Sequence, residues 1–347
     1  MSPLLLTLAI TVAKIAVVLG GVLGMVALMS WVERRGAGLI QDRPGPNRVG
    51  PFGLLQPVAD GLKFLFKEEV IPAKADKWIY LLAPLLTFVP AVATFAVLPM
   101  GTPFTVLGTV VEPLIGPSSI GVLYVLALSG LSVYGIVLAG FASGSKYPLI
   151  GGLRSTAQLV AYEIPMTLAL FSVVYASQSL DFTVIVDHQA GAWFGFIPRW
   201  YVFPQIVGFF VFWVTALAEC NRVPFDLPEA EAELVAGFHT EYSAMKFALF
   251  FLGEYAHMIA ASSLITLLYF GGWHLPFAVP AGNLGALVAF AAFAAKTGFF
   301  LWLFVWVRWT LPRYRYDQLM RLGWTVLLPL AFLNLVITVL VCRPGVN

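Results

Sequence analysis

Five ionisable side chains lie well inside long apolar runs of this sequence, at positions that hydrocarbon would reject. They are Lys14, Glu163, Lys246, Glu254 and Lys296. A charge near the centre of a bilayer costs roughly 3 kcal/mol or more, so such groups usually pair with a partner or line a polar cavity. Each of the five is therefore a candidate for proton transfer or for a structural ion pair.

Glu163 and Glu254 are the strongest candidates for proton transfer. Each lies about ten residues into its apolar run, which is roughly 15 Å along a helix axis. Carboxyl groups that far from bulk water commonly exchange protons near neutral pH. Pro165 follows Glu163 closely and frees a backbone carbonyl, which needs water or a protein partner inside a membrane. These features predict a hydrated polar seam that continues to Glu219.

The three lysines carry weaker functional signals. Lys246 lies about two residues into its run, and we expect its long side chain to reach the membrane surface. Lys14 and Lys296 lie deeper, and each is open to two interpretations. One is a structural ion pair with a carboxylate in the bundle, and the other is a role in charge transfer.

An acidic stretch, 219–242, separates two almost wholly apolar segments. It holds six of the eighteen acids of the chain: Glu219, Asp226, Glu229, Glu231, Glu233 and Glu241. Glu219 and Arg222 are three residues apart, a spacing at which they can pair on one helical turn. Glu229 and Glu233 repel each other unless a cation or a shared proton intervenes. The stretch is either a solvated loop or the lining of a polar cavity.

The composition is that of a polytopic membrane protein. Of the 347 residues, 60% are hydrophobic and only 11% are charged, and the mean hydropathy is +0.87. Soluble domains carry about 25% charged residues. A net charge of +2 without any basic run gives no reason to expect nucleic acid as a partner.

Metal-binding patterns are missing from the sequence. The two cysteines, Cys220 and Cys342, are far apart and no C-x-x-C motif exists, so neither an iron–sulfur cluster nor a zinc ribbon is encoded. Glu254 and His257 form half of a di-iron motif, but no second E-x-x-H completes it. We therefore expect no metal site in this chain, and any redox electrons must be carried elsewhere.

Eight apolar runs are long enough to cross a bilayer, which takes about 20 residues in a helix. They cover 4–32, 78–98, 119–141, 155–176, 203–219, 244–270, 286–308 and 323–341. The loops after odd-numbered runs carry nearly all Lys and Arg outside the runs, whereas the other side has only Arg199 and Arg343. By the positive-inside rule, the odd loops face the cytoplasm or the mitochondrial matrix, and both termini face the outer, periplasmic side. The chain 1–347 is thus predicted to be one all-α transmembrane domain.

The first inner loop contains a predicted amphipathic helix between Phe52 and Lys67. Apolar and polar residues recur at helical spacing and form two separate sides. The apolar side holds Leu54, Leu55, Val58, Leu62, Leu65 and Phe66. One interpretation is a helix that rests on the membrane surface. The other is a helix whose apolar side borders an opening through which a lipid-like molecule enters.

Four stretches of the sequence resemble one known family. The acidic stretch with its flanks, AECNRVPFDLPEAEAELVAGFHTEYS from Ala218 to Ser243, resembles the signature of the H subunit of NADH-quinone oxidoreductase. The family's first inner loop is similar to Glu33–Arg35 followed by QDRPGPNRVGPFGLLQPVADGLKFLFKE. Its fourth span is similar to QLVAYEIP, residues 158–165, and its seventh inner loop to FVWVRWTLPRYRYDQLM, residues 304–320. The resemblance covers essentially the whole chain.

The resemblance implies a membrane-arm subunit of respiratory complex I that lies beside the peripheral arm. It also implies that the chain forms part of a long chamber for ubiquinone or menaquinone, with the amphipathic helix at its mouth. The residues placed at this quinone tunnel are Arg34, Asp60, Phe64, Phe251 and Arg308. The polar loop and the proton path leading into the membrane comprise Glu163, Glu219, Arg222, Asp226, Glu229, Glu231, Glu233 and Glu254.

By the same resemblance, the chain is a subunit of a proton-translocating NADH:quinone oxidoreductase, a translocase, with a quinone as substrate. Electrons come from an iron–sulfur cluster in a partner, and this chain binds no metal, flavin or iron–sulfur cluster. The implied partners are peripheral-arm iron–sulfur and quinone-site subunits, adjacent small membrane subunits and membrane lipid. The implied location is the bacterial inner membrane, or the mitochondrial inner membrane if the source is an organelle.

Two other functions remain open. Related membrane subunits occur in hydrogenases and in formate- or F420-linked complexes. Those have shortened or altered loops, whereas this chain has the full first loop and the PEAEAELVAGF run. A free-standing ion or solute transporter would show internal repeats and broken spans with a midplane site, and the sequence shows neither. Both comparisons favour the quinone enzyme.

Overall fold

The computed structural model describes residues 3–106, 109–117, 119–193, 197–227, 235–277, 280 and 282–342. Within these ranges the chain is a bundle of helices. The longer ones are α1 (Pro3–Ile40), α3 (Lys77–Ala93), α4 (Gly121–Ala142), α5 (Lys146–Ser177), α7 (Ile206–Glu219), α8 (Ala244–Tyr269), α9 (Asn283–Thr310) and α11 (Leu328–Val341). The short ones are α2 (Gln56–Phe66), α6 (Phe182–His188) and α10 (Tyr316–Arg321).

Shorter segments complete the described part of the fold. Single 3-10 turns cover Pro51–Gly53, Thr94–Ala96 and Gly237–His239, and a π-helical segment, Leu322–Leu327, joins α10 to α11 without a break. One antiparallel hairpin, β1 (Phe104–Val106) with β2 (Thr109–Val111), lies in the loop before α4. A second, β3 (Ala192–Trp193) with β4 (Ile197–Pro198), lies before α7.

Seven helical stretches of the described residues are long and apolar enough to cross a membrane. They are Leu8–Ile40, Lys77–Ala96, Gly121–Ala142, Lys146–Ser177, Ala244–Tyr269, Asn283–Thr310 and Tyr316–Val341. They overlap seven of the eight predicted runs, so the mainly helical, polytopic architecture is confirmed. The remaining run, 203–219, forms α7, which has 14 residues and a length of roughly 21 Å.

Two helices extend beyond the runs predicted from hydropathy. α1 continues through Glu33 and Arg34 to Ile40, and α5 already begins at Lys146, before the predicted start at residue 155. The prediction from hydropathy places these charged residues in loops, but they lie on helices. Hydropathy marks only where the hydrocarbon ends, whereas backbone hydrogen bonding carries a helix past that boundary.

The predicted amphipathic helix of the first inner loop forms α2, which is shorter than the predicted 52–67. Its apolar side is largely uncovered by the rest of the described chain. The exposed fractions of Leu65 and Phe66 are 62% and 87%. An apolar helix side of this kind requires lipid, a hydrophobic ligand or a partner subunit to cover it.

Glycines of α4 allow the helices around it to approach closely. A Cβ on Gly135 would lie 2.1 Å from the Oγ1 atom of Thr87 on α3. A Cβ on Gly140 would lie 2.5 Å from the carbonyl oxygen of Pro148 on α5. Only glycine permits these contacts, and small residues are the usual means of close helix packing in membranes. The layer of α3, α4 and α5 forms one wall of the region in which the buried acids lie.

The apolar core lies where α5, α7, α8 and α9 meet and is rich in aromatic rings. Phe212 of α7 contacts Tyr269 of α8 with ring centroids 5.7 Å apart. A buried polar cluster ties this core to α11. Ser172 donates to Oε1 of Gln205 at 2.6 Å, and Asn334 donates to the Ser172 hydroxyl at 2.9 Å. These bonds satisfy polar groups to which lipid offers no hydrogen-bond partner.

Candidate functional site

Arg222 is the centre of a buried ion-pair system. It follows the end of α7 and is only 3% exposed. Its guanidinium lies 2.8 Å from a carboxylate oxygen of Glu33 and 2.5 Å from one of Glu254. Burial by itself would lower the pKa of Arg222, but Glu254 and Glu33 together raise it well above its ordinary value. Arg222 therefore remains charged, and it stacks over the Tyr255 ring at 4.5 Å.

Glu33 extends this system to a second arginine. Its other carboxylate oxygen pairs with Arg308 of α9, and the Tyr255 hydroxyl donates to the oxygen that faces Arg222, at 2.8 Å. The four side chains Arg308, Glu33, Arg222 and Glu254 thus form a row of alternating charges, here called the ion-pair chain. Its formal charge is zero, and each buried charge faces an opposite one, which offsets much of the cost of removing it from water.

Two small cavities adjoin the ion-pair chain. The first, of about 40 Å³, is lined by Glu219, Glu254, His239, His257 and Phe251 among others. The second, of about 30 Å³, shares Glu219 and His257 with the first and continues along α4 past Ser129. A water molecule needs roughly 10–15 Å³ of such space and several polar neighbours, and both cavities meet these requirements.

Glu163 and Glu219 both lie beside α4, next to its residues Gly130 and Ser129 respectively. Glu219, the last residue of α7, lies within hydrogen-bond reach of the Ser129 hydroxyl and interacts electrostatically with Glu163. The Glu163 carboxylate lies against Gly130, the residue after Ser129 on α4. A Cβ on Gly130 would be 3.2 Å from the Oε1 atom of Glu163. Glu163 also lines a shallow groove on the outer side of α5. In the structure, Glu254, Glu219 and Glu163 therefore follow one another in space, from the ion-pair chain to the surface of the helix bundle.

The predicted quinone-tunnel residues fall at the edge of this site. Arg34 of α1 pairs with Asp60 of α2 at 2.5 Å. Phe64 of α2 contacts Phe247 with ring centroids 5.9 Å apart, and Phe247 contacts Phe251 at 4.7 Å. Phe251 also lines the first cavity. An aromatic path therefore joins α2 to the first cavity, and the fifth tunnel residue, Arg308, lies in the ion-pair chain.

The acidic stretch is described only in part. Asp226 is buried and pairs with Arg313 at 2.8 Å. Glu229, Glu231 and Glu233 lie outside the described residues. The described ends of the stretch turn inward, since Arg222, Asp226 and His239 are all buried. Their burial does not fit a loop that is solvated along its whole length.

Several expectations about single charges are wrong. Lys246 does not reach the surface, because it is buried and pairs with Glu69 at 2.7 Å. Lys14 donates to the carbonyl oxygen of Leu114 at 3.1 Å and not to a carboxylate, so its ion-pair interpretation is wrong, whereas its role in charge transfer stays a prediction. Arg222 pairs with Glu33 and Glu254 and not with Glu219, because α7 ends at Glu219 and the chain leaves the helical path.

One of the two interpretations of Lys296, an ion pair with a carboxylate, is wrong. Its amine donates to three backbone carbonyl oxygens, those of Phe270, Gly272 and His274, at 2.7–2.9 Å. These carbonyls follow the end of α8, where a cation offsets the negative end of the helix dipole. Lys296 is therefore a structural cap for α8.

Four residues of the site are not among those predicted from the sequence: Glu33, His239, Tyr255 and His257. Glu33 does carry a signal in the sequence, since it is an acid at the end of an apolar run, but the two arginines that follow it are equally typical of a simple membrane boundary. The sequence marks His257 only as half of an incomplete di-iron motif, and His239 carries no such pattern. Among the described residues, no group of three or more His, Cys, Asp or Glu could hold a metal ion.

His239 predicts a pH dependence of stability. Burial lowers the pKa of His239 from 6.5 to about 4. The unfolded chain therefore binds this proton at a higher pH than the folded chain, so stability is lost as pH falls from about 6.5 towards 4. We expect the thermal unfolding midpoint of the purified protein to fall over this window, and His239→Gln to weaken that fall. The same substitution at exposed His188 should leave it unchanged.

The fold and the site together define a polytopic helical membrane protein that keeps a net-neutral chain of buried ion pairs beside two polar cavities. A family model described as NADH dehydrogenase matches residues 13–339. The chain is 49% identical over 338 residues to the first NADH-quinone oxidoreductase H subunit of Geobacter metallireducens, covering 97% of this chain and 98% of the relative. It therefore belongs to the H subunit family of NADH-quinone oxidoreductase.

Two further relatives agree with this assignment. The NADH-quinone oxidoreductase H subunit of Leptospira biflexa is 51% identical over 314 residues, which is 88% of this chain and 86% of the relative. The corresponding H subunit of Salinibacter ruber is 47% identical over 332 residues, which is 93% of each chain. The seven candidate spans and these bacterial relatives agree with the predicted location, a multi-pass protein of the bacterial inner membrane.

Proposed function

We propose that this chain acts as the H subunit of a proton-translocating NADH-quinone oxidoreductase, complex I. In this proposal it forms part of the quinone chamber and couples quinone reduction to proton movement through buried carboxylates. The observation that carries the proposal is the contact between the ion-pair chain and the cavities lined by Glu219 and Glu254. The chain is a subunit of the enzyme and supplies no redox centre. Electrons reach the quinone from an iron–sulfur cluster in a partner.

The quinone side of the proposal rests on α2 and the aromatic path. The exposed apolar side of α2 offers a border along which an isoprenoid tail could leave the lipid. Phe64, Phe247 and Phe251 then provide an apolar lining towards the first cavity. The Arg34–Asp60 pair fixes α2 to α1 at this border. Such a chamber is apolar along its length and polar at its end, as an amphiphilic quinone requires.

The coupling step is electrostatic. Reduction places up to two negative charges on the quinone before protons arrive. At an effective dielectric constant of about 20, two unit charges about 10 Å apart interact by roughly 1.7 kcal/mol. That energy changes the proton affinity of a nearby carboxylate by roughly 20-fold. A charge near the ion-pair chain would thus alter the proton occupancy of Glu254 and Glu219, and Glu163 would pass the change towards adjacent small membrane subunits.

The proposed topology has eight spans with both termini on the periplasmic side. α7 is the short one, and residues 199–205 extend it towards that side. The backbone amide of Val202 donates to the Tyr269 carbonyl at 3.0 Å, which anchors this extension to the end of α8. The charge asymmetry of the loops supports the orientation.

The orientation is tested by labelling introduced cysteines. A cysteine at Ser179 should be labelled from the periplasm and one at Arg315 from the cytoplasm. The reverse accessibility of the two positions would refute this orientation.

Co-purification separates the proposal from its rivals. Extraction in a gentle detergent should release this chain together with peripheral-arm subunits that carry flavin and iron–sulfur clusters, because a quinone chamber needs an electron donor beside it. Optical and electron paramagnetic resonance spectra would detect those centres. A free-standing transporter would instead leave the membrane alone or as a homo-oligomer. A hydrogenase- or F420-linked complex would carry its own characteristic metal or deazaflavin subunit.

The coupling role is tested at Glu163. Glu163→Gln keeps the shape of the side chain but cannot carry a proton, so NADH-driven quinone reduction should fall by roughly tenfold or more. NADH oxidation by an artificial acceptor should persist, since that reaction bypasses the membrane chain. The same substitution at Glu112, a loop residue outside the site, serves as the matched control. Equal loss of both activities, or loss of neither, would refute the coupling role.

A further inference from the structure

His257 lies one helical turn after Glu254 on α8, and the proposed coupling does not use it. Its Nε2 atom is buried, and no residue of the described ranges forms a hydrogen bond to it. Buried polar atoms in proteins are nearly always bonded to protein groups or to ordered water. An imidazole nitrogen without a protein partner inside the bundle therefore marks a position where water binds.

The two cavities meet at this side chain. Glu219, Cys220 and His257 line both, whereas Glu254 lines only the first. The first cavity has about 40 Å³ and the second about 30 Å³, and a water molecule needs roughly 10–15 Å³. Each cavity can therefore hold water next to the imidazole. Water beside the imidazole can therefore connect Glu254 in the first cavity to Glu219 and to the second cavity.

Hydroxyl groups supply further water-binding atoms along the cavity walls. Thr87 lines the first cavity and Thr94 the second. Each donates its hydroxyl hydrogen to a carbonyl oxygen one turn earlier, Ala83 at 3.3 Å and Pro90 at 3.0 Å. Their oxygen lone pairs remain available as acceptors. Water in either cavity thus has hydrogen-bond partners besides the carboxylates and the imidazole.

We propose that His257 carries protons between Glu254 and Glu219 through water in the two cavities. This inference rests on the proposed proton route. A proton from the Glu254 carboxyl group passes through water and binds one imidazole nitrogen. The other nitrogen then releases its own proton through water to the Glu219 carboxylate. Only O–H and N–H bonds form and break, and rotation of the ring restores the first tautomer. Histidine suits this task because one ring nitrogen can accept a proton while the other donates one.

The test uses His257→Asn in the assembled, membrane-bound enzyme. Asparagine keeps a polar side chain of moderate size, but its amide group cannot bind and release a proton near neutral pH. We expect NADH-driven quinone reduction and proton pumping to fall by roughly tenfold or more, with NADH oxidation by an artificial acceptor unchanged. The solvent deuterium isotope effect on quinone reduction should rise, because a proton transfer has become slower. His188→Asn, at an exposed position, is the matched control.

The isotope effect separates a proton carrier from a structural residue. A variant that merely packs badly would lower the amount of active enzyme and leave the isotope effect at its wild-type value. That result, or wild-type rates in His257→Asn, would overturn the inference. Glu219→Gln, measured in parallel, distinguishes the two levels of the argument. If Glu219→Gln is impaired and His257→Asn is not, only the histidine role fails, whereas wild-type activity in both overturns the proton route itself.

Discussion

Glu219→Gln is expected to reduce NADH-driven quinone reduction and proton pumping by roughly 10- to 100-fold, within the range that a positioned proton carrier usually contributes. Glu219 is the acid common to both cavities, and it also interacts with Glu163. Glutamine keeps the volume and can still bond the Ser129 hydroxyl, so the helices should pack as before. The loss would therefore report the missing proton.

Three controls separate the loss of the carboxyl proton from general damage to the enzyme. NADH oxidation by an artificial acceptor should match the wild-type rate, because the peripheral arm is unaffected. Glu219→Asp keeps a carboxylate but withdraws it by one methylene, so an intermediate rate is expected. Glu112→Gln, the loop control, should behave as wild type. If Glu219→Gln pumps protons normally, or if Glu219→Asp is more impaired than Glu219→Gln, the carboxyl proton is not what matters at this position.

The depth of the acids could be predicted from sequence, but their partners could not. Apolar runs on both sides of Glu163 and Glu254 are enough to place these residues inside the membrane. Arg222, however, pairs with Glu33, which lies 189 residues earlier in the chain. That contact depends on how α1 packs against α8 and α9. Hydropathy is a local property and contains no information about such packing.

The lysines show the same limit for a second physical reason. A sequence-based expectation looks for a carboxylate near each buried amine, because opposite charges are the obvious partners. Lys296 instead bonds three carbonyl oxygens that a glycine turn presents after α8, with Gly271 and Gly272 at φ of 67° and 52°. Backbone oxygens that a helix end leaves unpaired are acceptors too. Their positions depend on the turn, which composition does not define.

The ion-pair chain links stability to function, because both depend on the charge of Arg222. In the folded protein Arg222 faces Glu33 and Glu254, whereas Glu33 has a second partner in Arg308. Removing Arg222 leaves Glu254 without its cation and changes the formal charge of the ion-pair chain from zero to −1. Removing one member of a buried pair usually costs about 3–5 kcal/mol, since the remaining charge stays buried and unpaired. Removing an exposed partner costs far less.

Arg222→Met should therefore strongly reduce both the amount of assembled enzyme and its resistance to heat, and quinone-linked activity should be lost with them. Methionine fills a similar volume, so the loss would come from the charge and not from a cavity.

Adding Glu254→Gln restores a formal charge of zero and should recover part of the thermal stability, but not the activity. Arg315→Met, whose exposed pair with Asp317 spans 3.3 Å, should leave both properties near wild type. Native gels and thermal dissociation of the purified enzyme measure these effects. A double variant as unstable as Arg222→Met alone would show that packing, not electrostatics, makes Arg222 necessary.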